Sequence, residues 1–174
     1  MKTLKKSLFL MLTTLISLGA YAQQGQQASP AAKATGKVGD ASITIAYSSP
    51  AVKERKIWGE LVPYNKVWRA GANQATTFET DKALTVEGKQ LPAGKYSIYM
   101  LPTAGEWTVI FNSQVGQWGI TRGGETTEDP TKDVLKVNVK PTKSKTFNER
   151  LVYEVNGKGF SLSWENLSVP VKIK

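Results

Sequence analysis

From Val38 onward, no window of eleven residues carries an apolar stripe at helical spacing, while short runs alternate apolar and polar side chains at period two. A strand with one buried face imposes that alternation, because successive side chains point to opposite faces. Ile43, Ile45 and Tyr47 alternate with Ser42, Thr44 and Ala46. Lys95–Leu101 alternates around Tyr96, Ile98 and Met100, and Glu106–Asn112 returns with Trp107, Val109 and Phe111. Asp133–Val139 sets Leu135, Val137 and Val139 against Val134, Lys136 and Asn138. Shorter strands are expected at Ala75–Thr80, at Leu84–Val86 and, after Glu87-Gly88-Lys89, at Gln90-Leu91. Phe147–Val155 and Phe160–Trp164 flank Asn156-Gly157, a strong hairpin signal. Leu167–Ile173 closes the domain, with Pro170 marking an edge strand. Turn signals every 8–12 residues or so are the spacing of a sandwich or barrel. The expectation is an all-β, antiparallel, jelly-roll-like sandwich of about eight to ten short strands. A parallel α/β sheet is excluded for want of crossover helices.

Before Val38 the chain divides in two. Met1, Lys2, Lys5 and Lys6 precede an apolar stretch from Leu8 to Leu18, and Ala20-Tyr21-Ala22 follows. A basic start, an apolar middle too short to span a bilayer and an A-x-A end make a cleavable signal peptide over 1–22. Residues 23–37 are almost free of large apolar side chains and read as a flexible linker. A single domain over 38–174 remains, expected in the periplasm or outside the cell, with no integral membrane segment after cleavage. Three Lys leave with the leader, taking the formal charge from +9 to +6. That surplus favours anionic envelope material as a partner. No Lys/Arg block is dense enough to suggest nucleic acid.

The chain has no His and no Cys. That removes Ser-His-Asp and Cys-His nucleophiles, thiolate or imidazole metal sites, haem and iron–sulfur clusters. No cofactor is expected. Two stretches fit no strand: Ser48–Asn73, with Pro50, Gly59, Pro63 and Gly71, and Ser113–Lys132, with Gly116, Gly119, Gly123, Gly124 and Pro130. Loops longer than about 12–15 residues in a compact domain are usually functional or disordered. The first holds Arg55, Trp58, Tyr64, Trp68 and Arg69, followed by Asn73 and Gln74; the second adds Gln117 and Trp118. An aromatic face stacks on the apolar face of a sugar ring, while Asn, Gln and Arg bind hydroxyls or a carboxylate. The competing reading makes the aromatics plugs for the sandwich end and gives Arg69 to loop carbonyls.

The run Gly59-Glu60-Leu61-Val62-Pro63-Tyr64-Asn65-Lys66-Val67-Trp68-Arg69-Ala70-Gly71-Ala72-Asn73 resembles a domain-of-unknown-function family of exported bacterial proteins, numbered 2911. So do Leu91-Pro92-Ala93-Gly94-Lys95-Tyr96-Ser97, Glu106–Asn112 and Gln117-Trp118-Gly119. The resemblance covers about residues 38–172. It implies an exported β-rich domain and brings no activity and no catalytic residues.

Other motifs carry less. Gly116–Gly124 lacks the order of a phosphate loop and the helix that must follow one. Glu125, Glu128, Asp129 and Asp133 are oxygen ligands of the kind that hold Ca²⁺, without the order of a calcium loop, and read as a solvated acidic loop. Glu60, Glu79, Glu106 and Glu165 are available for paired-carboxylate hydrolysis, which needs two of them across one bond. The leading expectation is a non-catalytic domain that binds a glycan or another small polar envelope ligand. A structural or protein-interaction domain, and a His-free hydrolase with paired carboxylates, are the alternatives.

Overall fold

The computed structural model describes residues 28–174. The expected signal peptide and the first residues of the expected linker lie outside that range. Six antiparallel strands make the larger sheet: β1 (Ala31–Val38), β2 (Ala41–Ser48), β3 (Thr77–Thr80), β6 (Gly94–Leu101), β7 (Trp107–Asn112) and β8 (Asp133–Val139). They lie side by side in that order. The alternation read from the sequence is the burial observed: Ile43 and Ile45 are covered on β2, and Leu135, Val137 and Val139 on β8.

The second layer holds two hairpins. β4 (Leu84–Val86) pairs β5 (Lys89–Leu91), and β9 (Thr142–Asn156) pairs β10 (Gly159–Lys172). They meet where Val86 bridges Ile173 and Thr85 exchanges backbone hydrogen bonds with Lys174. Phe78 joins the layers, its ring centroid 5.3 Å from that of Phe111 in its own sheet and 5.7 Å from that of Phe160 opposite. The fold is therefore all-β, antiparallel and two-layered. Its strand order follows the chain as a meander with one hairpin excursion, whereas a jelly roll sends successive strands to alternate sheets.

The stretch expected to be a flexible linker becomes strand β1 from Ala31 onward. Its lack of large apolar residues has a packing cause. Ala34 and Val38 face the core. Gly36 lies so close to β9 that a Cβ there would come within 2.8 Å of Val155 Cγ1. Small side chains are what this contact admits, and their scarcity of apolar bulk imitates a linker.

The two strands expected at Phe160–Trp164 and Leu167–Ile173 form one element that bends at Glu165, whose φ is +52°. The register with β9 shifts on both sides of that residue, as at a bulge. The bend brings the two ends of β10 together. The Ile173 amide donates to the Lys158 carbonyl at 2.9 Å, and Ser163 Oγ bonds Ser168 Oγ at 3.1 Å. Pro170 lies past the last residue paired with β9, where no ladder bond needs its missing N–H.

Candidate functional site

The segment between β2 and β3 crosses one end of the sandwich in a costly conformation. Among the described residues, seven non-glycines have positive φ, and five of them, Lys53, Glu54, Asn65, Ala70 and Asn73, belong to this segment. Such residues cost of order 1 kcal/mol or more each and persist only where their surroundings hold them. The clamps are visible. The Trp68 amide donates to the Met100 carbonyl at 2.7 Å, and the Met100 amide returns the bond at 2.8 Å. The Asn65 amide reaches Pro102 and the Val52 amide reaches Glu149. The buried Ala70 carbonyl accepts from Thr76 Oγ1 and from the Tyr153 hydroxyl, both at 2.9 Å. Tyr153→Phe removes one of these clamps beside Arg69 and should lower stability by about 1 kcal/mol in urea titration.

Tryptophans fix the same segment to the core. Trp58 meets Trp107, Trp68 and Trp164 edge-on, with centroids 4.9, 5.9 and 5.9 Å away. Trp68 and Trp164 stack 17° from parallel at 6.1 Å. Trp164, the residue just before the β10 bend, is carried into this cluster by that bend. Trp58 is buried, so its observed role is to plug the core.

Above the cluster, a cavity of about 660 Å³ opens between this segment and the loop that links β7 to β8. The half-buried Trp68 lies in its wall, backed by Trp164. Lys53, Arg55, Lys66 and Arg69 line it, against the single carboxylate Glu125. None of the four cations takes part in an ion pair among the described residues. Arg55 donates from Nε to the Val52 carbonyl at 3.0 Å and from Nη2 to the Ala51 carbonyl at 2.5 Å. Arg69 donates from Nη1 to the Trp118 carbonyl at 3.1 Å, and its guanidinium carbon sits 5.8 Å from the Trp118 ring centroid. A guanidinium has five N–H donors, so both arginines keep several for a ligand. Partial burial draws the Arg69 pKa below the ordinary guanidinium value. Water therefore competes less for its remaining donors than it does on an open surface.

A second cavity of about 390 Å³ lies alongside, lined by Ser29, Ser48, Asn73, Gln74 and Trp118. Ala28 and Ser29 contribute to both cavities.

The structure thus gathers Arg55, Trp68 and Arg69 at one cavity, and Asn73, Gln74 and Trp118 at its neighbour. It does not bring in Trp58, Tyr64 or Gln117. The Tyr64 ring lies against Gly59, where a Cβ would be 3.2 Å from Cε2. Gln117 spends its amide within the fold: Nε2 donates to Tyr99 Oη at 2.8 Å and to Ser97 Oγ and the Gln114 carbonyl at 3.1 Å. Lys53, Lys66 and Trp164 are the residues that sequence reasoning missed. The two lysines had a signal, five cations spread over one irregular segment. Trp164 had none, because its place depends on the bend that follows it.

The acidic loop does several separate jobs. Asp129 Oδ1 accepts from the Thr131 amide and hydroxyl. Asp133 accepts from Asn112 Nδ2 at 2.7 Å and meets Lys136 Nζ at 2.7 Å. Among the described residues, no three carboxylates converge as a metal site would require. Of the carboxylates available for hydrolysis, Glu60 is paired with Lys56 and Glu79 with Lys95.

Partial burial and the neighbouring Asp133 push the Glu128 carboxyl up to about 7. The folded protein therefore keeps a proton that the unfolded chain gives up near the ordinary carboxylate range, about 4.3. Below that range the contribution to stability is fully present; it is lost as pH rises through about 7. Thermal unfolding from pH 5 to pH 8 should show this decline, and Glu128→Gln should remove it.

The model of one protein family, described as a protein of unknown function (DUF2911), matches residues 29–173. No curated protein and no solved structure matches the chain.

Proposed function

We propose that this chain, which belongs to the DUF2911 family of proteins of unknown function, is a non-catalytic binding domain whose ligand is an acidic sugar. One observation carries the reading: a cavity of about 660 Å³ sets four cations against one carboxylate around a tryptophan wall. The volume lies within the range of small-ligand sites, about 300–1,000 Å³. A neutral sugar would leave the cationic surplus uncompensated. A bare inorganic anion would make no use of the indole. A ring that bears a carboxylate uses both, with the arginine forks taking the carboxylate in two parallel hydrogen bonds.

The proposal includes export to the cell envelope, which the pattern from Met1 to Ala22 supports. N-terminal sequencing of the exported product should then begin at Gln23.

Calorimetric titration tests the ligand class. Glucuronate should bind saturably at low salt, and glucose at least about tenfold more weakly, since each tenfold is 1.4 kcal/mol and a charge-assisted hydrogen bond contributes about that much or more. Equal affinity for both would remove the basis of the proposal. Rising salt should weaken the binding of glucuronate.

A further inference from the structure

We propose that the acidic sugar is bound as one unit of a longer glycan, with a neutral unit in a second subsite beside Trp118. This rests on the acidic-sugar reading above and extends it. The neighbouring cavity of about 390 Å³ has a different chemistry: hydroxyl and amide groups from Ser29, Ser48, Asn73 and Gln74 surround it, together with one indole, and no charged side chain lines it. Such a surface suits a ring that carries hydroxyl groups and no charge.

Trp118 stands apart from the other four tryptophans. Those pack on one another, three of them buried and Trp68 half-buried, while Trp118 is 54% exposed. Its position is nonetheless held. Its carbonyl accepts from Arg69 Nη1, and the guanidinium lies against its ring. The next residue, Gly119, has φ +89° and lies so close to Arg69 that a Cβ would meet Arg69 Cβ at 2.9 Å. The Arg69–Trp118 pair therefore forms a wall common to both cavities, with Arg69 lining the charged one and Trp118 the neutral one. Asn73 is fixed at this wall by bonds from Nδ2 to the Ser29 carbonyl at 3.1 Å and to Ser48 Oγ at 3.2 Å, which leaves its Oδ1 as an acceptor for a hydroxyl. A glycan running past the pair places its carboxylate among the cations and its neighbouring ring on the exposed indole.

The test compares glucuronate with a disaccharide of glucuronic acid and a neutral hexose, by calorimetry on the full chain. The disaccharide should bind about tenfold more tightly or better, the order expected when one more ring face is taken out of water on a fixed aromatic. Trp118→Ala should bring the disaccharide down to the level of the monosaccharide. Gln74→Ala, at an exposed side chain in the same cavity, should remove part of the gain. A disaccharide that binds no better than glucuronate overturns the second subsite. So does a Trp118→Ala variant that weakens both ligands by the same factor. If neither sugar binds, the acidic-sugar reading itself fails; if glucuronate binds and the disaccharide gains nothing, only this extension does.

Discussion

Gly159→Ala should destabilise the domain by about 3 kcal/mol or more, the largest effect expected of any single methyl group added to this fold. A Cβ at Gly159 would stand 2.0 Å from the Val171 carbonyl oxygen and 2.9 Å from the Ile173 amide nitrogen. Both are backbone atoms, so no side chain can swing away. The φ of +136° adds strain for any L-residue with a side chain. The contact is also where the two ends of β10 meet, and through Ile173 and Lys174 it reaches β4. A shift there loosens the second layer from both sides. The unfolding midpoint should fall by roughly 6–12 °C, taking 2–4 °C per kcal/mol for a domain of this size. Gly157→Ala is the control. It sits in the turn of the same hairpin, nothing lies within 4 Å of its added Cβ, and its stability should change little.

Arg69→Ala should weaken glucuronate binding by about 10- to 100-fold, which corresponds to a lost charge-assisted hydrogen bond or a bidentate pair. The residue is half-buried, unpaired by any carboxylate among the described residues, and supported from both sides. Its neighbour Ala70 is clamped by Thr76 and Tyr153, and Gly119 packs against its stem. Arg69→Lys keeps the charge and loses the fork, so its affinity should fall between the two. Gly119→Ala should displace the Arg69 stem and lower affinity without touching the charge, although strain at φ +89° will also cost stability. Lys95→Ala is the matching control, since Lys95 pairs with Glu79 on the sheet and does not line the cavity. Equal losses in Arg69→Ala and Lys95→Ala would mean that general surface charge, not the cavity, attracts the ligand.

Strands whose two faces differ in environment were readable from the sequence. Asp133–Val139 was legible to the residue because alternate side chains meet core and water. β1 was not, because close packing against β9 selects Ala and Gly, and such a strand has no apolar contrast to read. Ser163 and Ser168 joined across the bend made one element of what reads as two. At the candidate site, the segment from Ser48 to Asn73 stood out in the sequence by its length and its aromatics, and it lines the larger cavity. The division of labour within it was not. Trp58 and Trp68 have the same side chain, ten positions apart, yet one plugs the core and the other reaches a cavity. That difference is set by the tertiary bridge between Trp68 and Met100, which no local pattern encodes. Gln117 was drawn into the candidate site by its neighbour Trp118, although its amide nitrogen donates within the fold to Ser97, Tyr99 and Gln114.

The chain's five tryptophans give five indole N–H resonances, each a reporter at a known place in the fold. Following them by NMR during titration with glucuronate tests the cavity directly. Trp68, in the cavity wall, should shift saturably, and Trp164, stacked behind it, should follow with a smaller change. Trp107, which is 1% exposed and donates from Nε1 to the Thr103 carbonyl at 3.0 Å, should stay in place. Saturable binding that leaves the Trp68 resonance unmoved would contradict the assignment of this cavity as the acidic-sugar site.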